Sequence, residues 1–155
     1  VGGYATGWRI GASPEEQARR EAVLTLTEHG WGTSNPAYRH IFSQTFMPDA
    51  APHELAWFDE FQRQTTSPQN AVRFQEAFGE IDVRDSLSRV RAPTIVFHAR
   101  QDQRIGIDQG RELAISIPGA RFVPLNSPNH ILLGHEPAWK ACHKRAMAFL
   151  HAHGI

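Results

Sequence analysis

The sequence predicts an α/β protein: a few parallel strands with flanking helices, preceded by a helical layer. Three observations carry this. Residues 13–85 show helical spacing interrupted by Pro and Gly. Residues 94–97 (Thr-Ile-Val-Phe) form a short, continuous apolar run rich in β-branched side chains, which suits a parallel strand covered on both faces. After Pro93, strand and helix patterns alternate, which implies a right-handed crossover.

The first helix opens at Ser13-Pro14-Glu15-Glu16, where Ser13 caps free N–H groups, Pro14 suits the first turn and Glu16 completes a capping box. It runs to about His29 and stops at Gly30. The second opens at Asn35-Pro36. Its Tyr38, Ile41, Phe42, Thr45 and Phe46 share one helical face, and Pro48 ends it. The third starts near Pro52 with Leu55, Phe58 and Phe61 on one side. The fourth opens at Ser67-Pro68 and carries Ala71, Phe74 and Phe78 before Gly79. These aromatic faces need a surface to cover them. Beyond the first strand, residues 108–117 read as a helix ended by Pro118-Gly119. Residues 121–125 read as a second strand near an edge, because Pro124 lacks a ladder donor. A last helix spans about residues 138–151, with Trp139, Cys142, Ala146, Phe149 and Leu150 at helical spacing. The expected organisation is a core-strand end and linker at 1–12, a helical segment at 13–85, and an α/β part at 86–155.

Composition bounds the function. A chain of 155 residues makes one domain that buries about 68–70% of its unfolded surface. With 41% hydrophobic residues, 4 Trp and 9 Phe, it is not a disordered tail. Acidic and basic residues balance at 16 each, which removes the general electrostatic case for nucleic acid or an anionic membrane surface. One cysteine excludes an internal disulfide and points to a reducing compartment. No apolar run reaches the roughly 20 residues of a bilayer span, and no signal peptide is visible. A soluble, cytoplasmic protein is expected. Val1-Gly2-Gly3-Tyr4 reads as the end of a strand and a turn without an initiator Met, so a fragment is expected.

Catalytic groups of an open parallel sheet gather beyond the carboxyl ends of its strands. Asp102 lies five positions after Phe97, and His130 five after Leu125. Adjacent strand ends bring such residues together, and a carboxylate beside an imidazole fixes its tautomer and supports the imidazolium. An Asp in such a loop also serves as a turn residue, and a His after Pro-Asn is also simply exposed, so spacing leaves both readings open. His151 and His153, with His143, lack a His-Glu-x-x-His pattern or Cys pairs, so neither metal nor cofactor is expected. Cys142 lies on an apolar stripe, where an inert thiol is commoner than a nucleophile. Trp31 and Trp57 are candidates to bind an apolar acyl or aromatic ligand, with packing as the alternative; Trp57 falls off the Leu55–Phe58–Phe61 stripe.

The stretch Val90-Arg91-Ala92-Pro93-Thr94-Ile95-Val96-Phe97-His98-Ala99-Arg100-Gln101-Asp102 resembles the strand-to-acid segment of the α/β-hydrolase family. Gly110-Arg111-Glu112-Leu113-Ala114, then Ile117-Pro118-Gly119-Ala120-Arg121-Phe122, resembles its next helix and last strand. Asn129-His130-Ile131-Leu132-Leu133 is similar to the loop that carries its histidine. Gly30-Trp31-Gly32, Asn35-Pro36-Ala37-Tyr38 and Thr65-Thr66-Ser67-Pro68 resemble the lid of a subgroup joined to nucleotide-cyclase or helix-turn-helix regulator domains. The resemblance implies the C-terminal part of an α/β-hydrolase fold with a helical lid. It also implies Asp102 as acid and His130 as base of a Ser-His-Asp triad for ester or acyl hydrolysis.

The chain departs from that pattern at the nucleophile. None of the serines at 13, 34, 43, 67, 86, 88, 116 and 127 sits in a Gly-x-Ser-x-Gly elbow, and the family's oxyanion-hole loop is missing. The isolated chain is therefore expected to be inactive. It is expected to pair with a missing N-terminal half or to self-associate through an exposed sheet edge. A non-catalytic module that senses a small apolar ligand and regulates an attached signalling domain is the alternative function.

Overall fold

The computed structural model describes residues 1–33 and 35–154, with only the backbone described at Pro36, Ala37 and Arg39. Seven helices and two strands are present among the described residues. They run α1 (Pro14–Gly30), α2 (Pro36–Phe46), α3 (Pro52–Thr65), α4 (Pro68–Gly79), α5 (Arg84–Leu87), β1 (Ile95–Ala99), α6 (Ile107–Ser116), β2 (Arg121–Leu125) and α7 (Pro137–Ala152). The chain forms two compact units. One comprises residues 1–5, 45–49 and 83–155, and the other residues 6–44 and 50–82.

In the helical unit the predicted starts hold where the capping chemistry is local. Ser13 Oγ accepts from Glu16 N, Ser67 Oγ accepts from Asn70 N, and Pro stands in the first turn of α1, α3 and α4. α1 packs against α4, joined by a hydrogen bond from Gln75 Nε2 to the buried Thr27 Oγ1 at 2.8 Å. The aromatic faces are covered only in part. Phe42, Leu55, Phe58 and Ala71 are buried, while Tyr38, Ile41, Phe61, Phe74 and Phe78 remain exposed. The exposed rings cover one another: Phe61 stacks on Trp57 at 5.6 Å and Phe74 on Phe78 at 5.9 Å.

The α/β unit is built on two parallel strands in the register Ile95–Arg121 to Ala99–Leu125. Side chains alternate across β1. Phe97 joins Val123, Leu125, Ala138 and Cys142 in a core under α7. His98 points to the other face, against Gly110 of α6. A second cluster joins Ala5, Leu87 and Ile117. Pro124 lies in β2, which among the described residues pairs with β1 alone, an edge position where a residue without a donor is tolerated.

Two features differ from the sequence reading. Residues 1–4 form no strand. Gly2 N donates to Phe97 O at 3.0 Å beside β1, and its φ of +62° then turns the chain out of extended conformation. β1 extends to Ala99, so Asp102 follows its last residue by three positions instead of five from Phe97. The short α5 carries no periodic signal at four residues.

Candidate active site

The two strands end side by side because they are parallel and in register, and each hands its chain to a polar loop. After β1 the backbone turns at Asp102, whose Oδ1 accepts from Arg104 N at 2.8 Å and Ile105 N at 3.0 Å. This Asx-type turn fixes the carboxylate and leaves Oδ2 facing the loop after β2. There His130 Nδ1 donates to Asp102 Oδ2 at 2.7 Å. The Asp102 side chain is 1% exposed and that of His130 is 17% exposed, so one partner is sealed and the other reaches the surface.

Burial alone raises the Asp102 pKa. The hydrogen bond from His130, the N–H of Ile105, the charge of His130 and the N–H of Arg104 outweigh it, and the carboxyl titrates below its ordinary value. Asp102 therefore stays ionised at neutral pH. A carboxylate oxygen only accepts, so Nδ1 carries the hydrogen and Nε2 is left as the proton acceptor.

The His130 loop is held at three places. The N–H groups of His130 and Ile131 both donate to Phe46 O, at 2.8 and 3.1 Å, and the Phe46 ring meets the imidazole edge-on at 5.6 Å. Beneath the loop, Glu136 Oε2 accepts from Ser127 Oγ at 2.7 Å, and Oε1 accepts from Leu133 N at 2.6 Å. The buried Asn129 donates its backbone N–H to Ser127 Oγ at 3.0 Å, and its Oδ1 accepts from Asp49 N at 3.1 Å. Finally, Gly2 lies flat against the imidazole: a Cβ there would come within 2.7 Å of His130 Cε1.

The other candidates belong to other elements. Trp31 is half-buried in the helical unit, donating Nε1–H to Thr66 O at 3.1 Å and meeting Phe42 edge-on. Trp57 of the same unit is 66% exposed. Cys142 is buried under α7, and burial pushes its thiol pKa up, away from nucleophile chemistry. His153 is taken up by Phe149 O at 2.7 Å.

Sequence reasoning missed His98, Ser127 and Glu136. His98 is fully buried, with Nε2 3.7 Å from Asp102 Oδ2. A polar residue inside the β-branched run of β1 was the available signal. Glu136 sits just before Pro137, at a helix start, where a carboxylate reads as a cap.

With this geometry in place, the matching solved structures decide the fold. A hydrolase from Oleispira antarctica superposes with a TM-score of 0.74 at 16% identity, over 97% of this chain and 54% of that one. An enol-lactonase from Burkholderia xenovorans gives 0.70 at 26% identity, over 95% and 54%. An esterase from Exiguobacterium antarcticum gives 0.71 at 16% identity, over 94% and 52%. This is an α/β-hydrolase fold. The chain spans about half the length of these neighbours. No protein-family model matches the chain, and no curated protein matches it in sequence. Among the described residues no helix is long and apolar enough to cross a membrane.

Proposed function

We propose that the chain supplies the acid and the base of a serine-type α/β-hydrolase that cleaves ester or related acyl bonds. The observation that carries this is the sealed, ionised Asp102 on Nδ1 of the surface-reaching His130. In that role His130 Nε2 takes the proton of an attacking serine hydroxyl and returns it to the leaving group. Asp102 holds the tautomer and balances the imidazolium without itself being protonated. The serine and the oxyanion donors come from sequence beyond these 155 residues, since no serine here occupies an elbow. The helical unit is read as the lid segment of such an enzyme, with the exposed Trp57 and the half-buried Trp31 as its candidate side chains for an apolar acyl ligand.

The test uses the chain together with the N-terminal half of an α/β-hydrolase fold, as the longer natural protein. Labelling by a fluorophosphonate, lost in Asp102→Ala and His130→Ala, is the expected result. A longer protein whose elbow serine is replaced, and which binds apolar ligands without turnover, overturns the enzyme reading in favour of a sensor for an attached signalling domain.

A further inference from the structure

A buried polar group is costly unless it is satisfied, and His98 is satisfied only by half. Its side chain is 0% exposed. Nε2 meets Ile105 O at 2.8 Å, and since a carbonyl only accepts, Nε2 carries the hydrogen. Nδ1 is buried with no hydrogen-bond partner among the described residues. An apolar side chain would fill this position on β1 at lower cost. The fold also makes room for the imidazole: a Cβ on Gly110 would stand 2.4 Å from His98 Nδ1, so only glycine fits across from it.

The group that His98 holds is the far end of the turn that orients the acid. Asp102 Oδ1 takes the N–H groups of Arg104 and Ile105, and the carbonyl of that same Ile105 takes His98 Nε2–H. The strand and the turn are thus latched to each other on either side of Asp102. The same N–H also lies 3.7 Å from Oδ2, the oxygen that receives His130. The geometry points to His98 as a positioning residue: it locks the turn at residues 102–105 so that Asp102 Oδ2 stays on His130 Nδ1. This rests on the reading of Asp102 and His130 as an acid–base pair.

The experiment is side-chain ¹⁵N NMR of the labelled chain, which reports the tautomer of each histidine, combined with amide exchange at Arg104 and Ile105. In the wild type, His98 is expected in the Nε2–H form and His130 in the Nδ1–H form. His98→Leu removes the latch; His130 then loses its Nδ1–H preference, and exchange at Ile105 rises roughly tenfold. His98→Gln, which keeps an N–H at the position of Nε2, restores both. A folded His98→Leu with the His130 tautomer unchanged overturns the proposal. So does His98 in the Nδ1–H form in the wild type, a result that needs no variant to fold. Asp102→Asn separates the two ideas: if the His130 tautomer is indifferent to it, the acid–base pair itself is wrong, whereas a response to Asp102→Asn without one to His98→Leu removes His98 alone.

Discussion

At residue 2 the backbone lies against the ring of His130 with φ at +62°. A methyl group there meets strain from the dihedral and collision with the imidazole together. Gly2→Ala is expected to cost about 1–2 kcal/mol in urea unfolding and to shift the His130 ring signals, while the signals of α1 stay in place. Asp102 gives a pH dependence of defined sign. Its folded pKa is below the ordinary value of 3.8, so its contribution is complete above that value and drains as pH falls through the lower, folded one. Thermal melts from pH 6 down to about pH 2 are expected to show the loss beginning near pH 4, with a shallower slope in Asp102→Asn. Asp102 and His130 are candidates from the sequence because both follow predicted strands of a parallel sheet, but spacing leaves a turn residue and an exposed histidine open, and it is the family resemblance that implies their roles. Gly2 and Gly110 are not, because what each glycine must avoid is a side chain distant in sequence.

At the level of elements, helices α1, α3 and α4 start at the residues where Ser-Pro or Pro signals placed them, since a cap is settled within four residues. The buried faces were less legible. Periodicity marks Phe61, Phe74 and Phe78 as apolar but does not say what covers them, and they stay exposed in ring stacks. The loop between β2 and α7 shows a second kind of blindness. Glu136 stands where a helix cap is expected, yet it caps no α7 N–H and instead gathers Ser127 and Leu133 beneath His130. Glu136→Ala is expected to destabilise the unit by about 1–3 kcal/mol, since Ser127 Oγ, Leu133 N and Asn129 Nδ2 lose their acceptor. The line width of the His130 ring signals is expected to grow in the same variant; an unaffected ring would show that the loop holds its shape without the carboxylate.

For the molecule as a whole, a two-stranded parallel sheet is thin, because such sheets are ordinarily covered on both faces and extended at their edges. Sedimentation of the isolated chain is expected to show association that disappears when an N-terminal half is co-expressed; a monodisperse monomer with a single cooperative melt would contradict this. Generic aryl-ester turnover by the chain alone is expected to be absent. The order strand, helix, strand, helix was visible because α6 and the two strands are compact in sequence. The division into units was not, because residues 45–49 belong with the α/β unit although helices of the other unit flank them on both sides.

That excursion has a practical side for anyone exchanging the helical region between proteins. The carbonyl that pins the imidazole loop, Phe46 O, is encoded in the middle of the stretch that a simple cut-and-paste would replace. A chimera spliced only at the outer boundaries would import a foreign clasp for the His130 loop. A transplant that preserves the host's five residues at 45–49 and swaps the flanking pieces separately would keep the original one.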